Sequence, residues 1–193
     1  MSARIRESAA APAISTHEVV VERSGWRGVV DRALGPGASR AERRGAILFA
    51  LIGGLGALAV ARMTGAEWGA IQWVMATLFG ADLLGGVWVN ATGAARRWYH
   101  RLEAGRVRQF AFVAAHVHPL VVAWLFRGGE WTYGAALYGY VVAAALAILL
   151  LPRELRAPSA LTLAGIGIIL EVILFPPVLA IAWFGPIYLL KLL

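Results

Sequence analysis

EWGAIQWVMATLFGADLLGGVWVNA, residues 67–91, carries one charged side chain after its first position, that of Asp82. A transmembrane helix needs about 17–25 mainly apolar residues. This stretch therefore predicts a helix that crosses a membrane. Three further runs have the same character, at residues 45–61, 109–126 and 131–151.

The last apolar stretch, residues 158–193, is broken by the adjacent prolines Pro176 and Pro177. Proline lacks a backbone N–H and restricts the residue before it, so two in a row end or kink a helix. We expect two short helices, at residues 158–175 and 178–193, with one long kinked helix as the alternative. The predicted fold class is an all-α, polytopic integral membrane bundle with five to six transmembrane helices.

Charged residues make up 15% of the 193 residues, against about 25% in a typical soluble domain. The first 44 residues hold eight arginines and five acidic residues, so the remainder is even poorer in charge. This excludes a soluble globular domain and divides the chain into a basic tail, residues 1–44, and a transmembrane bundle, residues 45–193. The sequence has no cysteine, which excludes disulfides, cysteine-bound zinc and iron–sulfur clusters.

Within the tail, residues 24–35 place Trp26, Val29, Val30 and Leu34 on one helical face. An amphipathic helix of this kind is typical of the membrane surface. We predict that it lies on the cytoplasmic face, with a flexible, partly charged leader as the alternative.

Lysine and arginine are concentrated in alternate segments outside the predicted spans. Eight lie in the tail and five in residues 92–108, whereas Arg62 and Arg127 stand alone between other spans. By the positive-inside rule the N-terminus is cytoplasmic. The net charge of +7 then reflects cytoplasmic loops, so the predicted partner is the lipid bilayer and not nucleic acid. Seventeen arginines against one lysine indicate a bacterial protein, and hence the cytoplasmic (inner) membrane.

Two capping-box patterns precede apolar runs. Ser39 and Glu42 stand before the first run, and Thr64 and Glu67 before the second. In this motif the hydroxyl and the carboxylate satisfy free backbone N–H groups at a helix start. The sequence therefore predicts helix starts at both positions.

Four ionisable residues lie well inside the predicted spans: Asp82, His116, His118 and Glu171. A charge near the centre of a bilayer costs about 2.5–3.5 kcal/mol on insertion scales, so such residues are functional candidates. At 1.5 Å per residue, Asp82 and His116 each lie about 3–4.5 Å to the cytoplasmic side of the middle of their spans. We therefore predict that Asp82 meets an imidazole from the neighbouring antiparallel helix.

The two histidines suggest a catalytic centre with Asp82. Two histidines and one carboxylate can hold a single divalent metal with an open position for water. On a regular helix His116 and His118 would point about 200° apart, but Pro119 can open the helix locally and turn both towards Asp82. A metal-free Asp82–histidine pair acting as acid and base is the alternative. Haem is disfavoured, because the other histidines lie at or beyond the membrane interface.

Polar residues near the cytoplasmic end of the second span suggest a substrate entrance. Asn90 lies two turns from Asp82, and the loop that follows contains Arg96, Arg97 and His100. We predict that these residues form an entrance for an anionic or headgroup-bearing substrate, with topology determination and lipid contact as the alternative function of the arginines. Glu171 precedes the Pro176–Pro177 break by one turn, and its role stays open.

Three functions fit these patterns. The first is a membrane-embedded enzyme, metal-dependent or acid–base, that acts on a lipid-soluble substrate. The second is a non-catalytic accessory or structural subunit, in a homo-oligomer or a larger membrane complex, in which small residues pack helices together. The third is a proton or cation carrier, for which the broken last span is the sequence feature.

Overall fold

The computed structural model describes residues 24–99 and 105–193. Within these ranges the chain forms nine α-helices and one short 3₁₀-helix, and no strand. The helices are α1 Gly25–Leu34, α2 Arg40–Met63, α3 Ala70–Ala91, α4 Gly93–Tyr99, α5 Arg106–Ala114, α6 His118–Phe126, α7 Trp131–Leu150, α8 Arg153–Leu174 and α9 Phe184–Leu192, with the 3₁₀-helix at Leu179–Ile181.

Five helical segments are long and apolar enough to cross a membrane. Four of them are α2, α3, α7 and α8, and the fifth is the pair α5–α6. Their outer faces carry exposed leucine, isoleucine and valine side chains, which suit contact with lipid; examples are Leu51, Leu55, Leu161, Ile169 and Val172. The predicted all-α fold is therefore confirmed, with five helical segments that are long and apolar enough to span a membrane.

The segment predicted as a possible sixth span, residues 178–193, is shorter than a helix that crosses a membrane. Phe175 is extended, so α8 ends at Leu174, and the chain resumes as the 3₁₀-helix followed by α9. Of the two predicted arrangements, separate helices are therefore correct and one long kinked helix is wrong. The apolar segment Leu179–Leu192 is shorter than the five spanning segments.

α9 lies in the core of the bundle. Phe184, Tyr188 and Leu189 are fully buried, and α9 packs against both α3 and α8. Because Phe184 contacts Phe79 and Lys191 contacts Asp82, α9 runs in the same direction as α3. This short central helix ends beside the last turn of α3, and the Lys191 side chain reaches back to Asp82 in the middle of α3.

The first capping box is confirmed and the second is wrong. The Glu42 N–H donates to Ser39 Oγ at 3.1 Å, and the Ser39 N–H donates to Glu42 Oε2 at 2.7 Å. Thr64 instead ends α2, where its hydroxyl donates to the Val60 carbonyl at 2.8 Å. The α3 start is satisfied by Gln72, whose side-chain oxygen accepts from the Gly69 N–H.

Glycine allows α2 and α3 to cross closely. A Cβ at Gly53 would overlap the carbonyl of Gly80, and a Cβ at Gly80 would overlap the carbonyl of Gly53. Close backbone approach through small residues is how membrane helices pack without a hydrophobic driving force. The predicted packing through small residues therefore joins two helices of the same chain, α2 and α3.

A helix is present where the tail pattern predicts one. In α1, Trp26 is 78% exposed, and Gly35 at its end lies against the backbone of Ala94 in α4. Its position on a membrane surface stays a prediction. Residues 1–23 of the predicted tail lie outside the described residues.

Candidate Asp–Lys–His site

The centre of α3 presents Asp82 beside the core. Leu83, its neighbour in sequence, is fully buried, whereas the Asp82 side chain is 47% exposed. Asp82 shares its helical face with Ile71, Val74 and Leu78, which are exposed as well. The carboxylate therefore lies at the border between the core and the outer surface of the bundle.

Lys191 is the main partner of Asp82. Its Nζ donates to Asp82 Oδ2 at 2.6 Å, and the Lys191 side chain is only 4% exposed. Gly86, one turn beyond Asp82, leaves room for the aliphatic stem of the lysine, since a Cβ there would touch Lys191. The sequence pattern alone did not connect Lys191 with Asp82.

The helix break at residues 115–117 positions His118. Pro119 lies in the first turn of α6, where its missing N–H costs no helical hydrogen bond. The break places His118 Nε2 at 3.4 Å from Asp82 Oδ2, with the edge of Phe79 against the imidazole at a ring separation of 5.0 Å. His118 Nδ1 is buried and has no hydrogen-bond partner within the described residues.

His116 is not the imidazole that reaches Asp82. Its Nδ1 donates to the Phe112 carbonyl at 2.6 Å, and its ring stacks on that of His118 at 5.3 Å. The reason is the break itself, which ends α5 before His116 and begins α6 at His118. The predicted contact between neighbouring helices therefore forms through His118.

Two tyrosines bind the carbonyl groups near the break. Tyr188 donates to the His116 carbonyl at 2.8 Å, and Tyr138 donates to the Ala114 carbonyl at 2.7 Å. An unpaired carbonyl in a membrane costs several kcal/mol by order of magnitude. The hydroxyls thus stabilise the unwound segment by binding two carbonyl groups near the break.

The geometry does not support the predicted three-ligand metal set. Among residues 24–99 and 105–193, no group of three histidine, aspartate or glutamate side chains is arranged to hold a metal. Asp82 Oδ2 is bound by a lysine ammonium, and His116 Nδ1 by a backbone carbonyl. The site instead consists of the Asp82 carboxylate with the Lys191 ammonium and the His118 imidazole, both of which approach Oδ2.

The residues predicted for an entrance have different positions. Asn90 donates from Nδ2 to the Lys191 carbonyl at 2.7 Å, so it ties α3 to α9. Arg96 and Arg97 are exposed on α4. His100 lies outside the described residues. Asn90 therefore positions Lys191. Of the four residues predicted for the entrance, Arg96 and Arg97 are the two that are described as exposed.

Glu171 belongs to a second polar cluster and not to the Asp82 site. Its Oε1 accepts from the Tyr133 hydroxyl at 3.0 Å, and a Cβ at Gly185 would overlap its carboxylate. Arg127 lies over the Tyr133 ring at 4.0 Å and donates to the Pro176 carbonyl at 3.0 Å. This cluster joins α7, α8 and the start of α9.

The chain was compared with family models, curated proteins and solved structures, and none of the three comparisons gave a match.

Proposed function

We propose that this chain is a membrane-embedded enzyme in which Asp82 acts as acid and base on a lipid-soluble substrate. The observation that carries the proposal is the exposure of Asp82: its carboxylate is bound by a buried lysine, yet 47% of the side chain remains open. A carboxylate that only joins helices is normally enclosed, and ionisable groups inside membranes mark functional sites.

The contacts of the carboxylate suggest distinct roles. Lys191 and His118 both approach Oδ2, which leaves Oδ1 as the oxygen for a substrate proton. Lys191 supplies a counter-charge, and His118 lies close enough to exchange a proton with Asp82 after modest tightening. Asp82 is therefore the proposed catalytic residue, and Lys191 and His118 are positioning residues.

The surroundings of Asp82 indicate the class of substrate. Ile71, Val74 and Leu78 line the exposed face that leads along α3 to Asp82. A molecule that reaches the carboxylate along this face moves over apolar side chains. We therefore propose a lipid-soluble substrate, in a bacterial cytoplasmic membrane with the N-terminus inside as the arginine distribution predicts.

An accessory-subunit function is supported by the same exposed face. A helix of a partner protein that covers Ile71, Val74, Leu78 and Asp82 would also shield the carboxylate from lipid. This function predicts a stoichiometric partner in mild detergent and no chemical change in the membrane. A carrier function has less support, because the Pro176 carbonyl at the break in the last apolar stretch is already bound by Arg127.

The proposal is tested by comparing lipid extracts of cells that express the full chain or its variants. We expect a lipid-soluble compound to accumulate or disappear with the wild-type chain and to stay unchanged with Asp82→Asn. Thr162→Val is a matched control, since Thr162 only donates to the Pro158 carbonyl in α8. Identical extracts from wild-type and Asp82→Asn cells, at equal amounts of folded protein, would refute the enzymatic function.

A further inference from the structure

The cluster around Glu171 lies at a cavity that the Asp82 site does not use. The cavity has a volume of about 80 Å³ and is lined by Arg127, Tyr133, Glu171, Phe175, Pro176 and Pro177, among others. It exists because the two prolines end α8 and lead the chain away before α9 begins. The break in the last apolar stretch therefore creates a partly open space beside a carboxylate.

One oxygen of Glu171 has no partner in this cavity. Oε1 accepts from the Tyr133 hydroxyl, whereas Oε2 is buried without a hydrogen-bond partner within the described residues. A buried carboxylate oxygen without a donor is costly in an apolar environment. The free oxygen can accept a hydrogen bond from a donor that the described residues do not supply.

The charges in the cluster do not balance. Arg127 Nε lies 2.7 Å from Glu130 Oε2, and the same guanidinium donates to the Pro176 carbonyl. One arginine thus stands against two glutamates, and the described donor to Glu171 is the neutral hydroxyl of Tyr133. With both glutamates ionised, a donor that carries a positive charge would balance the cluster.

A second cavity indicates what this donor is attached to. A space of about 70 Å³ lies between α7 and α8 and shares Glu171 and Phe175 with the first cavity. Its other walls are almost entirely apolar, from residues such as Leu137, Leu170 and Leu174. A carboxylate next to an apolar slot suits a positively charged group on a short hydrocarbon stem.

We infer that Glu171 and Tyr133 form a binding site for an alkylammonium group, separate from the Asp82 site. The ammonium donates to Glu171 Oε2, and the stem lies in the apolar space between α7 and α8. Gly185 is required because any side chain there would displace the Glu171 carboxylate. Either a lipid headgroup that contains a primary amine or a free amine supplies the same chemistry.

The test uses the full chain in phosphatidylcholine nanodiscs, with n-butylammonium chloride as the probe and thermal unfolding followed by tryptophan fluorescence. We expect a saturable rise in the unfolding temperature of the wild-type chain and of Thr162→Val. The rise should be lost in Glu171→Gln and in Gly185→Ala, and n-butanol should not reproduce it. Adding phosphatidylethanolamine to the discs should weaken the response if a lipid headgroup occupies the site, and leave it unchanged if the natural ligand is a free amine.

Two results would overturn the inference. One is a wild-type chain that does not respond to butylammonium in phosphatidylcholine discs, which would mean that Glu171 is satisfied by a proton. The other is an equal response in wild type and Glu171→Gln. Since Asp82 takes no part in this site, either result leaves the proposed enzymatic function untouched.

Discussion

Lys191 Nζ lies 2.6 Å from Asp82 Oδ2, and the pair joins α9 to the middle of α3 across 109 positions of sequence. The two partners differ in environment, because the Lys191 side chain is 4% exposed and the Asp82 side chain 47%. Removing Asp82 should therefore change the free energy of unfolding by a different amount from removing Lys191.

This asymmetry predicts unequal losses of stability. Asp82→Ala leaves a buried ammonium without a counter-charge and should cost about 3 kcal/mol of unfolding free energy. Lys191→Met leaves a half-exposed carboxylate that can be neutralised by taking up a proton, and should cost only about 1 kcal/mol. Reversible unfolding of the two single variants and the double variant gives the coupling between the residues. Additive losses in the double variant would show that the pair contributes no interaction energy.

The helix break predicts a measurable contribution from tyrosine hydroxyls. Tyr188→Phe and Tyr138→Phe each remove the donor to a carbonyl near the break, at His116 and Ala114 respectively. We expect each to lower the unfolding free energy by about 1 kcal/mol. Thr162→Val removes an exposed hydroxyl-to-carbonyl bond in a continuous helix and should change it less. Equal losses in all three variants would contradict a special role of the break.

The close crossing of α2 and α3 predicts that glycine positions differ sharply in tolerance. Gly53→Ala places a methyl group on the Gly80 carbonyl, so we expect a loss of about 2 kcal/mol or more. Gly56→Ala, in the same helix, meets nothing within 4 Å and should be neutral or stabilising. Thermal unfolding of the two variants in the same detergent compares them directly. A tolerated Gly53→Ala would mean that the two helices cross at a greater distance.

The predicted orientation can be tested without removing native thiols, because the chain has no cysteine. Glu154→Cys and Glu67→Cys place thiols at exposed positions that the positive-inside rule assigns to opposite sides. In intact cells a membrane-impermeant maleimide should label Glu67→Cys and leave Glu154→Cys unlabelled until the cells are opened. The reverse pattern would place the N-terminus outside.

The bundle could be predicted from sequence because its signals are local. Apolar run length gave the four uninterrupted spans, and Pro176 with Pro177 correctly predicted the end of α8. The depth of the segment after the prolines depends on an irregular 3₁₀ turn, which hydropathy does not encode. For this reason hydropathy alone left the number of spans at five to six and did not show that Lys191 contacts Asp82.

The sequence predicted the depth of the site residues along their spans, but not the direction in which their side chains point. Counting residues placed Asp82 level with the histidine pair, and Pro119 indicated an opening there. Which imidazole turns to Asp82 depends on the backbone of the unwound residues 115–117, and this favours His118 over His116. Two sequence signals pointed to Lys191: it is a lysine flanked by leucines, and Asp82 needs a counter-charge inside the bundle.

The most direct test of the account is whether position 82 can be reached from outside the folded bundle. Asp82→Cys places a thiol beside Lys191, which favours the reactive thiolate, and Leu83→Cys places one at nearly the same depth in the buried core. In native membranes N-ethylmaleimide should modify Asp82→Cys rapidly and should modify Leu83→Cys only after denaturation. If both positions are equally protected in the folded protein, Asp82 is enclosed and does not act on a substrate.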